Sequence, residues 1–219
     1  MKRREFSTAV VRGSVAAGAW ASGLPLAVAQ GDVPVAGKDY LEINPPLPTP
    51  ANGKIDVVEF FWYGCPHCNA FEPMLAAWAK KLPADVAFRR EHVAFREEPF
   101  VAQQRIYYAL DEMGLVDSIH AKVFAAIHVD HQRMDNPTEI AAFMKKNGVD
   151  PVKFMSFYNS FSAQTRARQA VQLSQAYKID GVPSIGIAGR YMTSPSKAGS
   201  LQRSLAIADY LIQRTRAKT

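Results

Sequence analysis

The chain has 219 residues, of which 48% are hydrophobic and 21% are charged, and its formal net charge is +6 at pH 7. This balance is typical of a globular protein and excludes a disordered, collagen-like or fibrous chain. Two cysteines are too few for a disulfide-rich scaffold or a four-cysteine zinc site, and the chain is long enough to bury a core without disulfides.

Residues 1–29 have the pattern of a cleaved export signal. A basic start at Lys2-Arg3-Arg4 precedes a short apolar stretch rich in glycine and alanine, and Ala27-Val28-Ala29 provides the small residues typical of a cleavage site. The apolar stretch is too short to predict a membrane span. Removal of 1–29 lowers the net charge from +6 to +3, because the segment has four basic residues and one acidic residue. No run of basic and aromatic residues remains, which argues against nucleic-acid binding.

The first strong strand signal lies at residues 55–63, which are mostly apolar and aromatic and are broken only by Asp56 and Glu59. This pattern predicts a strand that is buried on both faces. The proline-rich residues 45–53 before it predict an extended linker or edge segment. From Pro66 onward apolar residues recur at helical spacing, so we expect a helix to follow the strand directly.

The later segments predict a helical block and a second pair of strands. Residues 86–95 predict a strand, residues 99–161 predict several helices bounded by prolines and glycines, and residues 164–177 predict a further helix. Residues 184–188 and 191–192 predict a short hairpin, and an apolar stripe near the C-terminus predicts a final helix.

This order of elements predicts one α/β domain that is interrupted by an insertion. We expect the α/β domain to comprise residues 30–98 and 163–219, and an all-helical insertion to comprise residues 99–162. No internal repeat is apparent.

Both cysteines lie in Cys65-Pro66-His67-Cys68, where the predicted strand meets the predicted helix. The amides of the first helical turn and the helix dipole favour a thiolate there, and Cys65 is expected to be the more exposed cysteine. Pro66 suits the first helical position, and a protonated His67 adds positive charge. A stabilised thiolate makes the disulfide form oxidising and makes Cys65 a good leaving group. The motif therefore predicts a donor of disulfides.

Two other roles for the cysteine pair stay open on the sequence. A structural staple that closes four residues gains only about 2 kcal/mol by chain-entropy arithmetic, against about 3 kcal/mol for a fifteen-residue loop. Half of a zinc site would need two more ligands, and the candidates are His67, His92, His120, His128 and His131. His128 and His131 have the spacing of one helix face. An exported C-x-x-C motif in an α/β setting favours redox chemistry over both alternatives.

Glu59 is unusual because it stands within an apolar strand. An ionised carboxylate is costly to bury, so Glu59 should find a partner or hold a raised pKa, and Arg90 on the next strand is the candidate partner. One role for Glu59 would be to take the proton from Cys68 when that thiol attacks a mixed disulfide. The alternative is a glutamate at a solvent-facing edge.

Four further residues are candidate contacts for a substrate. Val182-Pro183 stands just before the predicted hairpin, where a cis peptide would lay backbone against the cysteine pair, although a trans bond is the default. Trp62 and Tyr63 precede the cysteines and could form an apolar lip, although aromatic residues in such a run are more often core.

On these residues the chain resembles the DsbA family of bacterial periplasmic thiol:disulfide oxidoreductases. The resemblance rests on Val58-Glu59-Phe60-Phe61, Cys65-Pro66-His67-Cys68, His92-Val93 and Gly181-Val182-Pro183-Ser184. It implies a thioredoxin-like fold with an inserted all-helical domain. The family typically places a lysine opposite the acid at position 59, and Arg90, which keeps its proton, takes that place here.

The resemblance also implies roles and partners. Cys65 would be the nucleophile, Cys68 the resolving cysteine, His67 the residue that tunes the thiolate, and Pro183 a cis proline. The protein would act as a periplasmic monomer without cofactor or metal. It would donate its disulfide to unfolded or folding exported proteins with free thiols, and a quinone-linked membrane partner of the DsbB type would reoxidise it.

Two rival functions follow from the same motif. A periplasmic disulfide reductase or isomerase is disfavoured, because Pro66 and His67 favour an oxidising pair. An exported chaperone that binds a soft metal ion would use the two thiolates as ligands, and metal stoichiometry on the reduced protein distinguishes it from an oxidoreductase.

Overall fold

The computed structural model describes residues 33–50 and 53–217, so the predicted export signal at 1–29 lies outside the described residues. The described chain forms one mixed sheet of five strands, in which all but the first strand match predicted segments. The strands are β1 (Leu41–Glu42), β2 (Ile55–Phe61), β3 (Val86–His92), β4 (Ser184–Ile187) and β5 (Tyr191–Thr193). Their order across the sheet is β1-β5-β4-β2-β3, with β2 and β3 parallel and the other neighbours antiparallel.

Eight helices complete the described chain. They are α1 (Pro66–Ala79), α2 (Phe100–Glu112), α3 (Val116–His128), α4 (Pro137–Lys146), α5 (Pro151–Tyr158), α6 (Phe161–Ala176), α7 (Pro195–Ala198) and α8 (Leu201–Arg216). Helices α2 to α6 follow one another between β3 and β4, which confirms an α/β fold with a helical insertion. Within residues 33–50 and 53–217, none of the helices combines the length and apolar character that a bilayer crossing requires.

The sheet has apolar residues on both faces, and β2, which lies between β4 and β3, contributes to both faces. Val57 belongs to a core cluster that also contains residues of α1 and α8, whereas Val58 and Phe60 pack on the other face with Tyr177. Phe61, at the end of β2, belongs to the core formed largely by the inserted helices. The end of β2 therefore lies where the helical insertion meets the sheet.

The strand ends differ from the predictions for a common reason. Phe61 pairs with His92, so β2 and β3 end together, three residues before the predicted end of β3 at 95. After Phe61 the chain turns, and the Cys65 N–H donates to the Trp62 carbonyl at 3.0 Å. The predicted strand over 55–63 is thus two residues too long, because its last two residues belong to the turn into α1.

Three other local differences have simple causes. Strand β1 has only two residues, too few to show a periodic pattern in the sequence. Helix α6 begins at Phe161 rather than 164, because the Ser160 hydroxyl caps it by accepting from the Ala163 N–H at 3.0 Å. Helix α3 ends at His128, and His131 has a positive φ of 56° in the following loop, so the prediction that both histidines share a helix face is wrong.

Candidate active site

The cysteine pair stands at the first turn of α1. Cys65 is the residue that precedes the helix, Pro66 is the first helical residue, and the pair is present as two thiols. Cys65 is 7% exposed and Cys68 is completely buried, as the sequence predicts, while Pro66 and His67 are exposed. A reacting molecule therefore approaches the pair from the side of Cys65.

The surroundings of the two thiols push their pKa values apart. A hydrogen bond from the Cys68 thiol is the main cause that lowers the pKa of Cys65 to about 6; burial opposes it, and the backbone N–H groups of Cys68 and His67 add to it. Burial raises the pKa of Cys68 well above its usual range, and the Cys65 sulfur adds to that shift. At neutral pH the reduced pair consequently holds one thiolate and one thiol.

The loop before β4 lies against Cys65. The Val182–Pro183 peptide is cis, which confirms the prediction for Pro183, and the Cys65 thiol donates to the Val182 carbonyl at 3.4 Å. A groove of about 380 Å³ adjoins this contact and is lined by His67, Ala70, Gly181, Val182, Pro183 and Leu201, among others. A chain that reacts at Cys65 would thus lie beside the backbone of this loop.

Glu59 lies beneath this site in a buried ion-pair network. It is 1% exposed and stands opposite Arg90 in the β2–β3 register, so the solvent-edge alternative is wrong. The Arg90 Nε donates to Glu59 at 3.0 Å, and Nη2 donates to Glu72 at 2.8 Å. Burial nevertheless raises the pKa of Glu59 to about 8; Arg90 opposes this shift and Glu72 adds to it. The network therefore holds a carboxyl group whose proton exchanges near neutral pH.

Two members of this network were not predicted. Glu72 lies on α1, four residues after Cys68, and its second oxygen is 3.4 Å from His120 Nε2 on α3. The only sequence signal for Glu72 is an acid on an otherwise apolar stripe between Phe71 and Leu75. His120 has no such signal, because its partners come from elements far away in the chain.

Three of the five histidines that are candidate metal ligands form hydrogen bonds with Tyr63 instead. The Tyr63 N–H donates to His92 Nε2 at 3.2 Å, its hydroxyl is hydrogen-bonded to His120 Nδ1 at 2.9 Å, and its carbonyl accepts from His128 Nε2 at 2.8 Å. Within the described ranges, no three His, Cys, Asp or Glu side chains are placed together as a metal site. Tyr63 itself is completely buried, so its predicted place in an exposed apolar lip is wrong.

Trp62 is the half-buried aromatic residue beside the cysteines. Its indole stacks on Phe100 with ring centroids 4.0 Å apart and an interplanar angle of 16°. The same indole lies directly over Gly64, where an added β-carbon would come within 2.3 to 2.9 Å of three ring atoms. Gly64 therefore lets the indole cover the turn that leads to Cys65.

Substitution of Gly64 by alanine tests this packing. Because the new methyl group must displace the indole from Phe100, we expect the free energy of unfolding to fall by about 1 to 3 kcal/mol, as in other overpacked sites. Denaturant unfolding followed by tryptophan fluorescence measures the change. Gly181→Ala is the control, since a β-carbon there meets nothing within 4 Å. Equal stability of the two variants would contradict the prediction.

Comparison with known proteins identifies the family. The family described as DSBA-like thioredoxin domain matches residues 56–202. The thiol:disulfide interchange protein DsbA of Pseudomonas aeruginosa is 44% identical over 189 residues, which cover 86% of this chain and 89% of the relative. The protein of the same name from Burkholderia cepacia is 39% identical over 194 residues, which cover 88% of this chain and 91% of the relative.

Solved structures agree with this assignment. The crystal structure of Pseudomonas aeruginosa DsbA has a TM-score of 0.81 at 42% identity and covers 84% of this chain and 95% of its own. The oxidoreductase NmDsbA1 from Neisseria meningitidis has a TM-score of 0.74 at 29% identity, with coverage of 84% and 95%. The fold is thus the thioredoxin-like fold that the resemblance implied, and the chain belongs to the DSBA-like thioredoxin domain family.

Proposed function

We propose that this protein is a thiol:disulfide oxidoreductase that donates its Cys65–Cys68 disulfide to other proteins. The observation that carries the proposal is the asymmetry of the pair, in which the pKa of Cys65 is lowered to about 6 and that of Cys68 is raised. A stabilised thiolate favours the reduced pair, so its disulfide is a strong oxidant. The names of the relatives, thiol:disulfide interchange proteins, support the same activity.

The oxidation of a substrate takes two exchange steps. A substrate thiolate attacks the Cys65 sulfur, the Cys65–Cys68 bond breaks, and Cys68 leaves and takes up a proton. A second substrate thiolate then attacks the substrate sulfur of the mixed disulfide, and Cys65 leaves as a thiolate. The substrate loses two electrons and gains a disulfide, and the enzyme gains the two electrons as a reduced pair. The lowered pKa of Cys65 makes it the better leaving group in the second step.

The residues around the pair have assigned roles in this proposal. Pro66 starts the helix, and His67 adds positive charge beside the Cys65 thiolate. In its ionised form, Glu59 accepts the proton of Cys68 when that thiol closes on Cys65 during reoxidation. Two observations support this role. The pKa of Glu59 is about 8, and the charge of Glu59 is near enough to raise the pKa of Cys68. The backbone of Val182-Pro183 and the half-buried Trp62 contact the substrate chain.

The cellular setting is part of the proposal. Residues 1–29 are an export signal that is cleaved, residues 30–98 and 163–219 form the thioredoxin-like part, and residues 99–162 form the helical insertion. The protein acts in the periplasm as a monomer, without cofactor, metal or nucleic acid. Its substrates are unfolded or folding exported proteins with free thiols, and a quinone-linked membrane protein of the DsbB type reoxidises it.

Titration of the cysteine pair tests the activity directly. We expect thiolate absorbance across pH to give a Cys65 pKa of about 6, and equilibration against glutathione to show a pair that readily gives up its disulfide. The control is Cys65→Ser, which should lose the titration. A Cys65 pKa near the free-thiol value of about 8.5 would contradict an oxidising role.

Measurements on the same purified protein distinguish the proposed function from its two rivals. A reductase or isomerase would leave the pair oxidised at glutathione ratios that reduce an oxidant. A soft-metal chaperone would hold about one metal ion per reduced chain after dialysis, whereas the oxidoreductase should hold essentially none.

A further inference from the structure

A cavity of about 350 Å³ is formed by the loop after β3 and by helices α2 and α6. The oxidation reaction uses none of its lining residues. Val101, Ala167 and Val171 supply apolar surface, and Phe95, which is 46% exposed, also lines it. The cavity is large enough to take a few side chains of a bound polypeptide.

Most of the arginines that have no acidic partner, among the residues that the structure describes, line this cavity. Eleven arginines lie in residues 33–50 and 53–217, and seven of them form ion pairs with aspartate or glutamate. Three of the other four line this cavity: Arg96, Arg105 and Arg168. Glu97 is the one acidic residue among the lining residues. The cavity therefore carries an excess of positive charge.

The contacts of these arginines leave their charge available. Arg105 lies over the ring of Tyr158 at 5.9 Å, and Arg168 lies over the ring of Phe161 and donates to the Thr165 hydroxyl at 3.1 Å. Neither contact neutralises a guanidinium group. A guanidinium beside apolar surface binds carboxylates through paired hydrogen bonds and attracts them from a distance. The chemistry that fits this cavity is an acidic side chain.

A row of aromatic residues connects the cavity with the cysteine pair. Phe95 meets the edge of Phe100 with ring centroids 6.4 Å apart, and Phe100 stacks on Trp62. The carbonyl of Trp62 in turn accepts the N–H of Cys65. A polypeptide attached at Cys65 can thus follow aromatic surface to the cavity, which favours a segment of the substrate over a separate small anion.

We infer that this cavity binds an acidic segment of the polypeptide whose thiol reacts at Cys65. Arg96, Arg105 and Arg168 are then specificity-determining residues, which favour substrates that carry aspartate or glutamate near the reacting cysteine. The inference rests on the proposed function, because it assigns a substrate preference to the same reaction.

Two peptides that differ only in charge test this inference. Each has two cysteines, and the flanking residues are aspartate and glutamate in one peptide and asparagine and glutamine in the other. We expect the oxidised protein to react about three- to tenfold faster with the acidic peptide, because three exposed ion pairs each contribute modestly. The triple variant Arg96→Gln, Arg105→Gln, Arg168→Gln should lose this preference and keep its rate with the neutral peptide.

The controls separate charge from folding. Arg190→Gln removes the fourth arginine without an ion pair, which lies outside the cavity, and should keep the preference. The triple Arg→Lys variant should keep most of it, and thermal unfolding should show that the variants are folded. An acidic peptide with serine in place of cysteine should bind the wild-type protein at least about threefold more tightly than the triple glutamine variant.

The outcomes distinguish the two proposals. Equal rates with both peptides, or an unchanged preference in the triple glutamine variant, would overturn the inference and leave the oxidoreductase function intact. If inorganic phosphate inhibits the oxidation of both peptides and the protein shows no preference for the acidic peptide, the cavity binds a small anion. That result would also overturn the inference. Absence of oxidation of either peptide would refute the proposed function, while the serine peptide still tests the cavity.

Discussion

Replacing Cys68 with alanine is expected to raise the pKa of the Cys65 thiol from about 6 to between about 7 and 8. The hydrogen bond from the Cys68 thiol is the main cause of the lowered pKa of Cys65. Hydrogen bonds to charged groups contribute about 1.5 to 3 kcal/mol, which corresponds to about one to two pKa units. Thiolate absorbance across pH measures the shift, and the rate of alkylation at pH 6 should fall about fivefold at a pKa of about 7 and about fiftyfold at a pKa of about 8, because the ionised fraction falls.

Two matched variants identify the cause of this shift. Cys68→Ser keeps a hydroxyl donor and should leave the Cys65 pKa much closer to that of the wild-type protein. His67→Ala should raise the pKa less than Cys68→Ala, because the charge of His67 contributes less than the Cys68 hydrogen bond. A Cys65 pKa that stays near 6 in Cys68→Ala would refute this explanation. An unchanged pKa in His67→Ala would reject a tuning role for that residue.

Replacing Glu59 with glutamine is expected to stabilise the protein at alkaline pH. The pKa of Glu59 rises from 4.5 to about 8 on folding, mainly because the side chain is buried. The folded state thus holds the proton more tightly than the unfolded state, so the wild-type protein loses stability as the pH rises from about 4.5 to about 8. By pH 9 the loss is on the order of 5 kcal/mol. Glutamine resembles the neutral acid and avoids this loss.

Denaturant unfolding of both proteins at several pH values measures the difference. The two free energies of unfolding should be similar near pH 4 and should diverge until about pH 8, with Glu59→Gln the more stable protein. Glu112→Gln is the control, because Glu112 is exposed at the end of α2 and should follow the wild-type curve. Parallel curves for Glu59→Gln and the wild-type protein would show that Glu59 is ionised in the folded state throughout this range.

The features that could be predicted from the sequence are those with a local pattern. The apolar run of β2, the start of α1 at Pro66 and the turn before β4 each depend on neighbouring residues, and the structure contains all three. The pairing of Glu59 with Arg90 was also predictable, because a buried acid requires a partner and the following strand offered one. The need of the buried Glu59 carboxyl group for a partner was enough to predict this pair.

Other features of the site depend on contacts between distant segments. Tyr63 was predicted beside the surface because it precedes the cysteines, but residues of α3 cover it. Glu72 and His120 are 48 residues apart and meet only because α3 packs beside α1. The periodicity of apolar residues in the sequence does not indicate a contact between residues so far apart in the chain. Sequence patterns could therefore predict the reacting cysteines but could not predict most of the buried polar residues that surround them.

The three histidine contacts of Tyr63 have a consequence for the order of assembly. Two of them come from α3 and one from β3, so the segment that leads to Cys65 is anchored only after chain made later, up to His128, has docked. A chain that is still folding accordingly lacks this anchored placement of Cys65 until β3 and α3 are in position. Folding of the insertion and final placement of the segment before Cys65 thus become one event.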